Sequence, residues 1–262
     1  MFLKMVKHET RASFRVLLPL FCGILVMGAL ARLSIWLIEM SDFILVQVFG
    51  TLFIGIFALS CIAGVVLTMV LMMVRFGKSV HGDEGYLTNT LPVNTHTIIL
   101  SRLLISFVAL LCSYVVVFLG YKVCTIGIKG AREFEQFFLS AFREADSSEI
   151  WTMVRLLGTM LVGMLSNILM IFAAISIGHS FPNKKVGLSI LFYFVLYFVQ
   201  QTVSVIGIFV LSAILAVGMN ELEMLNQVPN IIMLFSVFLS LLTIIAYYFL
   251  TWIMLRKRLN LS

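Results

Sequence analysis

Residues 44–74 read ILVQVFGTLFIGIFALSCIAGVVLTMVLMMV, thirty-one positions with no charged side chain. As a helix this run would be about 46 Å long at 1.5 Å per residue, against roughly 30 Å of hydrocarbon in a bilayer. It must therefore tilt, kink or protrude into water. Five further apolar runs flank it: Val16–Ile38, Ile98–Tyr121, Trp151–Gly178, Gly187–Val217 and Ile231–Leu255. Each is longer than the roughly 20 residues needed to cross a bilayer.

Composition agrees. The chain is 61% hydrophobic and 11% charged, with a mean hydropathy of +1.11, whereas soluble domains carry about a quarter charged residues. None of the runs alternates as barrel strands would, and backbone in lipid must satisfy its own hydrogen bonds. The expected fold is an all-α integral membrane protein of six transmembrane helices, with residues 1–262 as a single transmembrane domain.

Orientation follows from the connections. With the N-terminus inside, twelve of the eighteen lysines and arginines fall on the cytoplasmic side, and nine of the twelve acids fall on the other. Lysine and arginine alone set topology, so both termini are expected in the cytoplasm. The net charge of +6 is explained by this bias and calls for no nucleic-acid partner. The four cysteines, Cys22, Cys61, Cys112 and Cys124, stand singly in or beside apolar runs and form neither a disulfide framework nor a CxxC metal pattern.

Two amphipathic stretches lie outside the spans. In residues 1–15, Leu3, Val6 and Phe14 fall on one helical side, with Lys4, Lys7, His8, Arg11 and Arg15 around the rest. That pattern suits a helix lying on the inner leaflet or a basic topology signal. In the connection 122–150, Phe134, Phe137, Phe138, Ala141 and Phe142 recur at helical spacing, which predicts an extracellular surface helix. Asp146 and Glu149 fit a capping box opening the fourth span.

Motifs for chemistry are sparse. The "FGKS" of Phe76–Ser79 has Met72 where a phosphate-cradling loop needs its first glycine, and it leaves a membrane span rather than a strand. ATP binding by this chain is therefore not expected. His8, His81, His96 and His179 are scattered and make no paired zinc motif, and a G-x-S-x-G nucleophile turn is absent. An enzyme is not expected. All twelve acids sit in connections or at span ends, which leaves out the buried carboxylates typical of proton-coupled transport. Arg32, in the outer third of the first span, can snorkel toward Glu39 or Asp42. The mid-span polar groups are neutral: Ser60, Ser166, Asn167, Gln200 and Gln201. Either they join helices by hydrogen bonds, or Ser60, Asn167, Gln200 and Gln201 line a substrate path.

The second span ends in HGDEGYLTNTLPV, residues 81–93. Gly82 and Gly85 bracket Asp83 and Glu84, a short helix-compatible run reaches Leu91, and Pro92 stops it. Tyr86, Leu87, Thr90 and Leu91 fall along one side of that run, an apolar face that suits docking into a cytoplasmic partner.

The segment GDEGYLTNTLPVNTHTIILSRLL resembles the loop after the second span in ABC-2-type transporter permeases, on Glu84, Gly85, Leu87, Leu91, Pro92 and Arg102. The GDEGYLT-x-TLPV form is similar to small six-span permease subunits of Firmicutes-type bacteria. Tyr86 departs from the threonine frequent in the broader family. The resemblance implies an ABC-2 (type V exporter-like) permease architecture in a bacterial plasma membrane. It makes the 75–97 loop a coupling helix, with Asp83, Glu84, Gly85, Tyr86, Leu87, Leu91 and Pro92 seated in a separate ATPase subunit that binds ATP and Mg. Residues 1–15 would be the connecting helix, PNKK a smaller second contact, and a second permease copy or homologue would complete the path. An energy-independent channel, or a membrane scaffold recruiting a cytoplasmic protein, is the alternative.

Overall fold

The apolar runs form helices that outlast them. The computed structural model describes residues 2–41, 43–81, 95–128, 130, 133, 136, 140, 147–181, 185–218 and 221–257. The helices are α1 (Phe2–Met40), α2 (Ile44–His81), α3 (Thr95–Thr125), α4 (Ser147–Gly178), α5 (Lys185–Gly218) and α6 (Glu221–Lys257). All six contain stretches long and apolar enough to cross a membrane. The chain is thus an all-helical protein with six candidate spans.

Three boundaries differ from the sequence expectation. The basic stretch at the N-terminus is the start of α1, which runs without a break through Pro19 to Met40. Proline lacks an N–H, so the carbonyl of Arg15 loses its usual helical donor there, a defect that membrane helices tolerate. α2 continues seven residues past the apolar run to His81. The polar connection after the fifth span is helical from Glu221 onward and belongs to α6. In each case the backbone hydrogen-bond ladder carries on beyond the hydrocarbon-length stretch, because helix propagation requires no apolar side chains once a nucleus exists. Of the amphipathic stretch after α3, the described residues Gly130, Glu133, Gln136 and Ser140 are helical and exposed.

The chain divides into two compact units. The first comprises Met1–Met72 with Leu104–Glu144 and the second Met73–Leu103 with Ala145–Ser262, so α2 and α3 each contribute to both.

The first unit packs α1, most of α2 and most of α3 through apolar side chains. Leu17, Phe21, Met72 and Ala109 form one core cluster, and Ala31, Phe57 and Cys124 form a second, with Cys61 packed against it. All four cysteines are free. Close approach is made by glycine: a Cβ on Gly28 would stand 2.8 Å from the carbonyl oxygen of Gly120 and 3.2 Å from Phe57 Cε2. Such small-residue contacts let helix backbones come together in lipid, where burying apolar surface gives little advantage. A side-chain hydrogen bond joins helices here, from Thr68 Oγ1 to Ser113 Oγ at 3.4 Å.

The second unit is built around α4. Residues Ile168 to Ile175 are all buried, so α4 is covered on every side along this stretch. A helix apolar all round is suited to such a position. Ala173 and Ala174 keep its girth small, and Phe172 stacks on Phe76 of α2 with ring centroids 3.9 Å apart. α6 is the main cover of α4, with α5 next. α5 itself exposes large apolar side chains along most of its length, among them Phe194, Phe198, Ile206, Phe209 and Ile214.

Candidate functional site

The docking residues expected from the sequence, Asp83, Glu84, Gly85, Tyr86, Leu87, Leu91 and Pro92, lie outside the described residues. So does Asp146 of the capping box, and so do Asp42 and the PN and first lysine of PNKK. What is described is the pair of helices on either side of the docking segment. α2 holds its helix to His81 and α3 takes the chain up again at Thr95, which leaves residues 82–94 strung between two long helices.

Of the four path candidates, Ser60 belongs to the first unit and Asn167, Gln200 and Gln201 to the second. Ser60, in the first unit, donates its hydroxyl to the Phe57 carbonyl one turn back at 2.7 Å. Gln200, on α5, is half-buried and accepts the Tyr247 hydroxyl of α6 through Oε1 at 3.0 Å. This is a helix-to-helix bond of the kind worth about 0.6 kcal/mol on average in membranes. Gln201 and Asn167 are exposed, and neither makes a hydrogen bond among the described residues. A carboxamide facing hydrocarbon leaves its donors and acceptor unsatisfied. These two therefore mark faces of α5 and α4 that want polar company.

A polar seam runs between α4 and the two helices that cover it. Ser166 Oγ and Thr243 Oγ1 are 2.8 Å apart, and Ser180 Oγ reaches Met254 Sδ at 3.7 Å. At the α4–α5 turn, a Cβ on Gly178 would overlap Ser189, with its Cα only 2.6 Å away, so only glycine fits. Ser189 and His179 meet at the same turn, Oγ to Nδ1 at 3.5 Å. Each is already committed: Ser189 Oγ donates to the Lys185 carbonyl at 2.9 Å, and His179 Nδ1 lies 2.9 Å from the Ile175 carbonyl. A ring nitrogen that donates to a carbonyl has no lone pair for a hydroxyl proton, so this geometry does not activate the serine.

Arg32 reaches toward the expected outer end of its span; Asp42, one of the two acids expected to receive it, lies outside the described residues. The Arg32 side chain lies under the turn that follows α3, where a Cβ on Gly127 would be 3.1 Å from Nη2. Gly127 has φ 82°, a conformation that glycine adopts without strain. Nη1 is buried and has no hydrogen-bond partner among the described residues. A cation in a span is costly, and a covered N–H without an acceptor adds to that cost.

One cluster was not anticipated. His96, near the start of α3, places Nδ1 2.6 Å from the Tyr248 hydroxyl of α6. Its ring stacks on Trp252 with centroids 5.4 Å apart, and the Arg256 guanidinium sits 5.3 Å from the centroid of Trp252. Tyr248, Trp252 and Arg256 recur at four-residue spacing near the end of a span, so the stripe is present in the sequence. Its meeting with His96, 152 residues away in the chain, is not.

Comparison with protein-family models, with curated proteins and with solved structures gives no match.

Proposed function

We propose that this chain is the membrane-embedded permease subunit of an ABC exporter, worked by ATP hydrolysis in a separate cytoplasmic subunit. The observation that carries the reading is the acidic, glycine-bracketed segment GDEGYLTNTLPV, set between two long apolar helices and similar to the coupling region of ABC-2-type permeases. Six candidate spans fit the architecture. The length of α2 supports it further, because a continuous helix moves as one body when its end is pushed. Asp83 and Glu84 would sit at the start of the coupling helix, where its dipole favours negative charge. Leu87 and Leu91 would supply the apolar contact and Pro92 the stop. Gln201 and Asn167, exposed and without internal partners, are the polar groups best placed to meet a second permease copy or a transported molecule. Both termini then face the cytoplasm of a bacterial cell.

The test is affinity purification of the full chain from its own membranes, with the captured material assayed for magnesium-dependent ATP hydrolysis. Wild-type protein should bring down ATPase activity. Glu84→Arg should insert into the membrane at the normal level yet lose at least nine-tenths of the captured activity. ATPase capture unchanged by that substitution, or no ATPase with the wild type, would leave a channel or scaffold as the better description.

A further inference from the structure

We infer that the cluster of His96, Tyr248, Trp252 and Arg256 is a binding site for the headgroup phosphate of an anionic phospholipid. Depth is the first argument. Trp252 and Arg256 end the apolar span of α6, and His96 is the second residue of α3's span. Below them on α6, Phe249 and Ile253 are exposed apolar side chains, and Phe249 meets both Tyr248 and Trp252 edge-on. From Phe249 to Arg256 the helix rises roughly 10 Å. That distance carries a lipid from its upper acyl region to its phosphate, since each interfacial layer is about 5–8 Å thick. Aromatic rings with one apolar and one polar side concentrate at this level.

Charge is the second argument. The described side chains of this unit include Arg75, Lys78, Arg102, Lys185 and Arg256 toward this end of their helices, and no acidic side chain at all. Arg256 is exposed, and among the described residues it is engaged only by the Trp252 ring. The ring attracts the guanidinium while its N–H donors stay available for a planar or tetrahedral anion. Tyr248 and His96 share a hydrogen bond on the same column, and whichever of them donates, an O–H or an N–H is left over. When Nδ1 accepts the Tyr248 proton, the neutral imidazole carries its own proton on Nε2. The site therefore offers a cation and a left-over hydrogen-bond donor beside an apolar wall. Phosphate with acyl chains attached matches both halves, whereas free phosphate uses only one.

Lipid binding to the purified full chain, followed by native mass spectrometry from detergent, distinguishes the sources. Wild-type protein should retain phosphatidylglycerol at least fivefold more strongly than phosphatidylcholine, and millimolar inorganic phosphate should not displace it. Arg256→Gln should weaken phosphatidylglycerol about fivefold, the worth of one basic residue near an anionic surface. Arg155→Gln, at the opposite end of the unit, should change it less than twofold. Equal retention of the two lipids by wild type overturns the assignment without need of any variant. So does displacement by free phosphate, or an equal loss in Arg155→Gln. A gain in phosphatidylglycerol binding on Asp83→Asn with Glu84→Gln would show that the chain's own acids fill the site, and would overturn it as well.

Discussion

The two units lean on different means to hold their helices together, although Thr68–Ser113 is a side-chain bond in the first and Gly178 a close backbone contact in the second. In the first, backbone meets backbone at Gly28 and Gly120, and apolar clusters fill the space on either side. In the second, bonds between side chains cross from helix to helix: Ser166 to Thr243, Tyr247 to Gln200, and His96 to Tyr248. Lipid explains why both solutions exist. Apolar side chains gain nothing by leaving hydrocarbon for one another, so association needs either dispersion at very short range or polar groups with nowhere else to go. The first means tolerates no added volume. The second depends on chemical partners.

The largest expected effect tests the first means. Gly28→Leu drives a side chain into the Gly120 carbonyl and should cost about 3 kcal/mol, the upper end for overpacked positions. Gly23→Leu, on the same helix with nothing within 4 Å of its Cβ position, should stay within about 0.5 kcal/mol of wild type. Thermal unfolding of the purified protein in detergent measures both. Equal melting temperatures for the two variants would show that α1 and α3 do not approach as described.

A middle-sized effect comes from the exception in the apolar unit. Arg32→Met removes a cation whose Nη1 has no acceptor among the described residues and keeps most of its length. It should raise stability by about 1 kcal/mol, in line with exchanges of poorly compensated buried charge for apolar side chains. A lower melting temperature would mean that Arg32 is held by an acceptor, and the contrast between the units would weaken. The smallest effect tests the second unit. Tyr247→Phe should cost about 0.6 kcal/mol, and combining it with Gln200→Leu should add less than the sum of the two singles. Full additivity would show that the 3.0 Å bond between them contributes nothing.

The six spans were legible because a run such as 44–74 leaves a bilayer as the only solvent that suits it. Span ends were not. Hydropathy marks where side chains change, while the helix at 221–230 and the extension of α2 to His81 follow the backbone, which is indifferent to that change. Among the site candidates, Gln200 declared itself as a polar residue in lipid, and its role as a partner of Tyr247 needed the fold. The column on Trp252 was half visible as a stripe on α6. His96 could not be joined to it from spacing, because no local rule pairs residues 152 positions apart.

The order in which α4 acquires its cover has a consequence for synthesis. α4 emerges from the ribosome ahead of the helices that shield Ile168 to Ile175, and its main cover, α6, ends at Lys257. The 79 residues from 179 to 257 take roughly 4–16 s to translate at 5–20 residues per second. Until residue 243 is made, the Ser166 hydroxyl lacks its partner Thr243. The nascent protein thus passes through a stage in which its most interior segment is its most vulnerable one, and a membrane-embedded protease or insertase that grips polar transmembrane surfaces would meet it then.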